Sequence, residues 1–339
     1  MKSLLKKLMA KEDLSFDEIK FAVDSIAHKE VSDAQIAAFL TAVSAKGVSA
    51  EEFYAFAANM RNYARRVITD KYIVDSCGTG ADMSKTINIS TSASIVARAS
   101  GVNVVKQTNS SITSASGSTD FLSALGINIT RTPEQAVDFF NRHGITFVHS
   151  PYFNDFASVN NPIRQQIGIK TIFNFLGPLI NPAFPDAQLL GVSSNQMCDK
   201  IAYALKKLGT DRALVVNGLE PNIDEISICS PTRVLELKNG EIEEYMIKPE
   251  DFGFKCAVLS EIQGGNGPEN AKLITEIFEN KRKGAMLDVI LLNAGAMIYL
   301  SGRAKTIQEG IKQAQFNIEN GKALEVLKGL KNEKFVKSV

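Results

Sequence analysis

Residues 77–82 read Cys-Gly-Thr-Gly-Ala-Asp, and Thr86, Asn88, Ser90 and Thr91 follow just ahead of an alanine-rich segment. Gly78 and Gly80 lack a Cβ, so their backbone N–H groups can come close to a ligand. Hydroxyls and amides gathered where a helix begins suit an anion. The unpaired N–H groups and the positive end of the helix dipole point there. Lys106, at the end of the next β-like run, adds a full positive charge. With Thr79 and Asp82 in the loop, these residues read as a cradle for a phosphate or pyrophosphate. The two familiar phosphate loops do not fit. A Walker A loop would need glycine at Thr79 and Ser84, and a GxGxxG fingerprint would need it at Met83. A plain turn-rich connector has a similar composition, so a second chemical feature has to stand beside the cradle. Asp224 and Glu225 supply one, after the Gly/Pro/Asn stretch that starts at Asn217-Gly218. Adjacent acids on extended chain point to opposite sides. They can therefore serve two points of a metal–diphosphate ligand, and magnesium takes one or two carboxylates with phosphate oxygens and waters.

Positioning these groups needs alternating strands and helices. Residues 72–75 read as a strand that feeds the loop, and the alanine-rich helix stops at Gly101. Residues 102–105 read as the next strand, 116–125 as a helix, and 127–129 and 145–148 as further strands. Thr132-Pro133-Glu134-Gln135 opens a helix with a cap, a proline in the first turn and a capping-box glutamine. The rhythm returns with strands at 189–192 and 213–216 around a helix at 197–208. Helices near 270–280, 285–300, 306–320 and 323–330 close the chain. Strands alternating with helices predict an α/β fold with a mostly parallel central sheet flanked by helices. Such sheets bind ligands beyond the carboxyl ends of their strands.

Two segments depart from this rhythm. Residues 1–65 carry three capping boxes, Ser15/Glu18, Ser32/Gln35 and Ser49/Glu52, with the staples Leu14/Ile19, Val31/Ile36 and Val48/Phe53. Ile36, Phe39, Leu40 and Val43 form an apolar stripe that suits either an internal core or a subunit interface. Residues 153–185 read as helix, turn and loop that pack back on these N-terminal helices. The expected organisation is a smaller, discontinuous all-helical domain (residues 1–70 and 153–185) and an α/β domain (71–152 and 186–339).

Composition narrows the class. The chain has 339 residues, 45% hydrophobic and 22% charged, with 38 Lys+Arg against 37 Asp+Glu. This is an ordinary globular balance without the basic excess of a nucleic-acid binder. The four cysteines, Cys77, Cys198, Cys229 and Cys256, are widely spaced and form no CxxC pair. A disulfide framework or structural zinc site is not expected, and a reducing compartment, the cytoplasm, fits. The first fifteen residues are too charged for a signal peptide. The apolar tract at 285–300 is interrupted and shorter than a membrane span, so it reads as a buried helix.

Taken in order, GTGAD, NIST, the lysine before QTNSSITSASGSTD, NPIRQQIGIKTIFNFLGPLINP and DEIS resemble the anthranilate phosphoribosyltransferase family, as does VSDAQIAAFLTAVSAKG near the N-terminus. The resemblance covers nearly the whole chain. It implies the two-domain fold above and a homodimer formed through the N-terminal helices. It also implies a reaction of tryptophan biosynthesis, in which 5-phosphoribosyl 1-diphosphate and anthranilate combine with loss of pyrophosphate, with Mg2+ as cofactor. Carried over, it puts Gly78, Thr79, Gly80 and Asp82 around the diphosphate and ribose. Asn88, Ser90, Thr91 and Lys106 would hold the pyrophosphate, with Thr86 alongside and Ser118 near a phosphate. Asp224 and Glu225 would bind the metal with Ser90. Asn109 and Arg164 would face the aromatic acceptor, and a guanidinium can hold a carboxylate through two hydrogen bonds. Lys106, Asn109 and Arg164 are the expected catalytic groups.

The chain also departs from the family pattern, all on the acceptor side or in the loop. Where the family reads Lys-His-Gly-Asn-Arg, this chain has Lys106-Gln107-Thr108-Asn109-Ser110. A family His-Pro pair aligns with Asn154-Asp155, and the loop's second glycine is Ala81. The remaining histidines, His28, His143 and His149, do not stand in for those lost. These departures leave open a second acceptor, another aromatic or heterocyclic molecule used with the same donor. A non-catalytic binding relative is the third reading, and the intact acid pair argues against it. No membrane or nucleic-acid partner is expected.

Overall fold

The structure, a computed structural model, describes residues 1–80, 82, 84–108, 117–331 and 333. Asn109 and Ser110 lie outside the described residues.

The chain opens with α1 (Lys2–Met9), α2 (Phe16–Ala27), α3 (Asp33–Lys46) and α4 (Ala50–Arg61). All three capping boxes form, each hydroxyl accepting the N–H three residues on while that residue's side chain returns to the cap. Each such cap stabilises its helix by about 1 kcal/mol. Glu52 does more than cap. It also takes the N–H of Leu14 at 2.9 Å and the Lys46 ammonium at 2.7 Å, which fixes the loop before α2 to the start of α4. The stripe of Ile36, Phe39, Leu40 and Val43 is internal core within one chain, each residue at most 1% exposed.

Next come β1 (Val74–Gly78), α5 (Ile89–Ala99), β2 (Val104–Thr108), α6 (Ser118–Ala124), α7 (Pro133–His143) and β3 (Ile145–His149). Thr132 caps α7 as expected, whereas the Gln135 side chain reaches the N–H of Arg131 rather than that of Thr132. Two short helical turns and one long helix follow: α8 (Ser150–Phe153), α9 (Asp155–Ile167) and α10 (Phe173–Leu176). Then come β4 (Ala187–Gly191), α11 (Asn195–Lys207), β5 (Arg212–Gly218), β6 (Thr232–Lys238) and β7 (Glu241–Ile247). The chain ends with α12 (Gly267–Phe278), α13 (Ala285–Leu300), α14 (Ile307–Glu319) and α15 (Lys322–Leu330).

The seven strands lie in the order β3-β2-β1-β4-β5-β6-β7. The first five are parallel, and β6 and β7 add an antiparallel edge. Alternate strand residues face opposite sides, so the sheet divides two cores. Leu189, Leu214 and Val216 face the core built with α5, α13, α14 and α15. Leu190, Val192, Ala213 and Val215 face the other, which runs without a break into α1–α4, α9 and α10. Residues 153–185 therefore do return to the N-terminal helices.

Three points depart from the expectations. Residues 127–129 form no strand; Ile127 and Thr130 each make one isolated bridge, to Lys331 and Val148. The β6–β7 hairpin was not foreseen. The third concerns β2, which continues to Thr108. Lys106 is thus the middle residue of a central strand, 1% exposed, and does not stand at a strand end.

Candidate active site

In a doubly wound sheet the binding crevice opens where neighbouring strands send their connections to opposite sides. Here that point lies between β1 and β4, whose last residues, Gly78 and Gly191, are register partners. The chain beyond the two strand ends is laced together. The Thr79 N–H donates to the Gly191 carbonyl at 2.9 Å, the Ser193 N–H to Thr79 Oγ1 at 3.1 Å, and the Ser193 hydroxyl to the Gly80 carbonyl at 2.9 Å. Asn217, at the end of β5, joins the set by donating to the Val192 carbonyl and to Asn222 Oδ1, both at 2.6 Å.

The acid pair sits over this junction. The Gly80 N–H donates to Asp224 Oδ2 at 2.5 Å, and the Ser90 N–H to Glu225 Oε1 at 3.2 Å. Adjacent carboxylates thus serve two places, one at the cradle loop and one at the first turn of α5. The glycines make this approach possible. A methyl group on Gly78 would overlap the Asp224 carboxylate, and one on Gly191 would overlap the Asp224 carbonyl and lie 3.0 Å from the Glu225 nitrogen. From below, Asn293 of α13, fully buried, holds the next residue by both backbone groups. It accepts the Ile226 N–H at 3.1 Å and donates to the Ile226 carbonyl at 3.0 Å. Gly191, Ser193 and Asn293 were not foreseen from sequence, because their partners lie far away along the chain.

Lys106 projects from β2 into the same place. Its ammonium donates to the Ser76 carbonyl and, at 3.2 Å, to Ser90 Oγ. Asp82 accepts from the Ser84 N–H at 3.2 Å and from its hydroxyl at 2.7 Å. Burial, then the charges of Asp82 and Glu225, push the Asp224 carboxyl well above the usual carboxylate range. Burial lifts Glu225 to about 7, with Lys106 pulling it down and Asp82 pushing it up. Three acids therefore crowd a site where one lysine supplies the counter-charge. A bound cation would relieve them. Among the described residues no three His, Cys, Asp or Glu side chains could hold a metal by themselves. An incomplete set is what magnesium takes when phosphate oxygens finish its shell.

The remaining candidates are placed as follows. Asn88 is the cap residue of α5, and its Oδ1 accepts from Asn270 at 2.9 Å. Thr91, in the first turn of that helix, is 1% exposed, and its hydroxyl has no partner among the described residues. Thr86 bridges Gln263, and Ser118 is the first residue of α6. Gly78, Thr79, Gly80, Asp82, Ser90, Lys106, Asp224 and Glu225 are joined by direct contacts or by charge; Arg164 is not among them. It lies on α9, donates to Asn161 Oδ1 at 3.3 Å and pairs with no carboxylate among the described residues. Burial holds its guanidinium below the usual arginine range. Of the residues at the departing positions, Ala81 and Ser110 lie outside the described residues, and Gln107, Thr108 and Asn154 bond backbone. Gln107 donates to the Gly177 carbonyl at 2.9 Å and Thr108 to that of Val148 at 3.1 Å. Asn154 caps α9 and donates to the Met60 carbonyl at 2.9 Å.

Two family descriptions match: a glycosyl transferase family α/β domain over residues 70–324 and a glycosyl transferase family helical bundle domain over residues 2–64. The anthranilate phosphoribosyltransferase of Rubrobacter xylanophilus is 41% identical over 99% of this chain and 97% of its own. The chain belongs to the anthranilate phosphoribosyltransferase family. It is a phosphoribosyltransferase. Among solved structures of that family, the enzyme from Thermus thermophilus aligns with a TM-score of 0.89 and 34% identity, over 96% of this chain and 97% of that one. The enzyme from Saccharomyces cerevisiae, in complex with PRPP and Mg, aligns at 0.88 with 27% identity, over 97% and 96%. The yeast enzyme in complex with 4-fluoroanthranilate aligns at 0.85 with 26% identity over the same shares. No helix among the described residues of this phosphoribosyltransferase is long and apolar enough to cross a membrane.

Proposed function

We propose that this enzyme transfers the phosphoribosyl group of 5-phosphoribosyl 1-diphosphate to the amino group of anthranilate, releasing pyrophosphate, as a step of tryptophan biosynthesis. The observation that carries the reading is the Gly80–Asp224 hydrogen bond, which brings the cradle loop and the acid pair into contact. The diphosphate would lie between the loop at Gly78, Thr79 and Gly80 and the first turn of α5. There the N–H groups around Asn88, Ser90 and Thr91, with the dipole of α5, favour negative charge. Thr86 and Ser118 would border this region, and Asp82 would meet the ribose side.

As the bond from the ribose C1 to pyrophosphate breaks, negative charge grows on the leaving group and positive charge on the ring. Lys106, held by Ser76 and Ser90, is fixed in place before that charge appears, so little reorganisation is needed. Asp224, Glu225 and the Ser90 hydroxyl are the groups that would hold Mg2+. When bound, the ion would neutralise the diphosphate and polarise the departing oxygens. Arg164 and Asn109 would orient the acceptor by its carboxylate, which raises the local concentration of the amine at C1. The partly buried Arg164 guanidinium, which pairs with no carboxylate among the described residues, supports an acidic acceptor. The side chains at 107, 108 and 154 each donate to a backbone carbonyl, which supports the family's acceptor over a different one. Met9, Phe16 and Phe21 remain exposed on the N-terminal helices, apolar surface that supports a homodimer through those helices. Its test is the mass in solution by light scattering. The test of function is pyrophosphate release with magnesium and both substrates. Release that does not depend on anthranilate would sink the assignment.

A further inference from the structure

Two of the four cysteines, 27 residues apart in the chain, meet in the fold. The Cys256 thiol donates to the Cys229 carbonyl at 3.2 Å, and the N–H of the following Ala257 bonds the Ile228 carbonyl at 3.0 Å. The two segments therefore run side by side at the cysteines. Cys256 is exposed and Cys229 is buried. A thiolate at Cys256 is near enough to add to the effect of burial, which pushes the Cys229 thiol up to about 11. No other thiol acts on Cys77 or Cys198 in this way. A disulfide requires about 4.4–6.8 Å between Cα atoms, and the Cys256 sulfur already lies 3.2 Å from the Cys229 carbonyl oxygen.

Both segments belong to the frame of the active site. Cys229 follows the acid pair closely, and its N–H donates to Ser227 Oγ at 3.0 Å. Cys256 begins a strap that reaches Gly264. In that strap the Ile262 carbonyl accepts the Ile87 N–H at 3.0 Å, and the Gly264 N–H donates to the Lys85 carbonyl at 2.9 Å. Residues 84–87 connect the cradle loop to α5. We propose that Cys229 and Cys256 are a thiol–disulfide pair, closed by exchange with a small-molecule disulfide, that ties the acid loop to the strap holding residues 84–87. The order of events follows from exposure. The Cys256 thiol loses its proton to solvent and attacks one sulfur of the small disulfide, forming a mixed disulfide and expelling one small thiolate. Cys229 then loses its proton and attacks Cys256 Sγ, closing the intrachain bond and expelling the second thiolate. Two protein thiols are oxidised and one small disulfide is reduced to two thiols, each of which takes up one proton. A pair that opens under reducing conditions agrees with the usual behaviour of disulfides in reducing compartments, where they are transient.

The test uses the full folded chain, reduced, then equilibrated with oxidised and reduced glutathione at several ratios. Free thiols are alkylated and the peptides are mapped without reductant. The expected result is a peptide joining Cys229 to Cys256, with loss of two alkylatable thiols that reductant restores. Cys229→Ser is expected to stop at glutathione attached to Cys256, and Cys256→Ser to form neither product. Melting curves taken before oxidation show that each variant is folded. A mixed disulfide that persists on Cys256 in the unchanged chain would overturn the proposal. So would two thiols that stay alkylatable at every ratio, or a cross-link to Cys77 or Cys198 instead.

Discussion

Replacing Gly191 by alanine tests whether the acid pair is positioned by backbone packing. The added methyl would overlap the Asp224 carbonyl and crowd the Glu225 nitrogen. Neither is a flexible side-chain end that can swing away. The acid loop is also pinned on its far side, where Asn293 holds Ile226, so it must shift as a body or β4 must give way. Overpacking of this kind costs about 1–3 kcal/mol. For function, a displacement of order 1 Å at a positioned group costs about 100-fold. That corresponds to roughly 2.7 kcal/mol of barrier. The assay is steady-state pyrophosphate release at varied donor and magnesium, beside a melting curve. The expected result is kcat/KM for the donor down about 100-fold, a raised magnesium requirement and a lower Tm. Gly329→Ala is the control. That glycine has nothing within 4 Å of an added methyl, and a compatible Gly→Ala change is neutral or stabilising by about 0.4–1 kcal/mol. If Gly191→Ala stays within twofold of the parent in kcat/KM, the idea that this close approach sets the acids is wrong.

Asn293→Ala leaves the buried Ile226 N–H without its acceptor, at a cost of about 1–3 kcal/mol; thermal melts should show the loss, and magnesium titration a weaker apparent affinity. Arg164→Gln should raise the KM for anthranilate at least tenfold with the donor KM unchanged, and equal changes in both would contradict an acceptor role. Burial lifts the Glu225 carboxyl to about 7, while the unfolded chain holds it near 4.3. The folded state thus binds this proton more tightly. Its contribution to the stability of the metal-free protein is full below about pH 4.3 and is lost as pH rises through about 7. Melts in EDTA should fall across that window. Glu225→Gln should flatten the dependence, and added magnesium should restore the parent at the upper end; a parent profile already flat across the window would disprove the account.

Sequence reasoning succeeded where the physics is local. The capping boxes at Ser15, Ser32 and Ser49 are three-residue patterns, and each closes as read. The loop before α5 and the acid pair could be singled out by their glycine, hydroxyl and carboxylate types, and the structure brings the two together. What they touch could not be read this way. Nothing in the sequence set Gly191 apart until Asp224 was seen packed against it, and Asn293 read only as an interruption of an apolar tract. Lys106 kept its candidate role but moved from an open strand end to a buried strand centre, since the length of β2 is set by pairing with β3. The β6–β7 hairpin had a signal in Asn239-Gly240, both at positive φ, as a tight hairpin turn requires. Its flanks are too charged to alternate cleanly, and one face of β7 is open to solvent. Asn154, aligned with a lost histidine, turned out to join α9 to the end of α4.

The partners in the bond from Gly80 to Asp224 are 144 residues apart in the chain, and the strands that carry them flank β4 at the middle of the sheet. During refolding, neither early helices nor edge strands can create the surface that the loop and the acid pair share. That surface arises only when the most distant pairings close, and closing them is the slow part of building such a topology. Regain of catalysis should therefore lag behind regain of helix content, which makes turnover a clock for the last step of assembly.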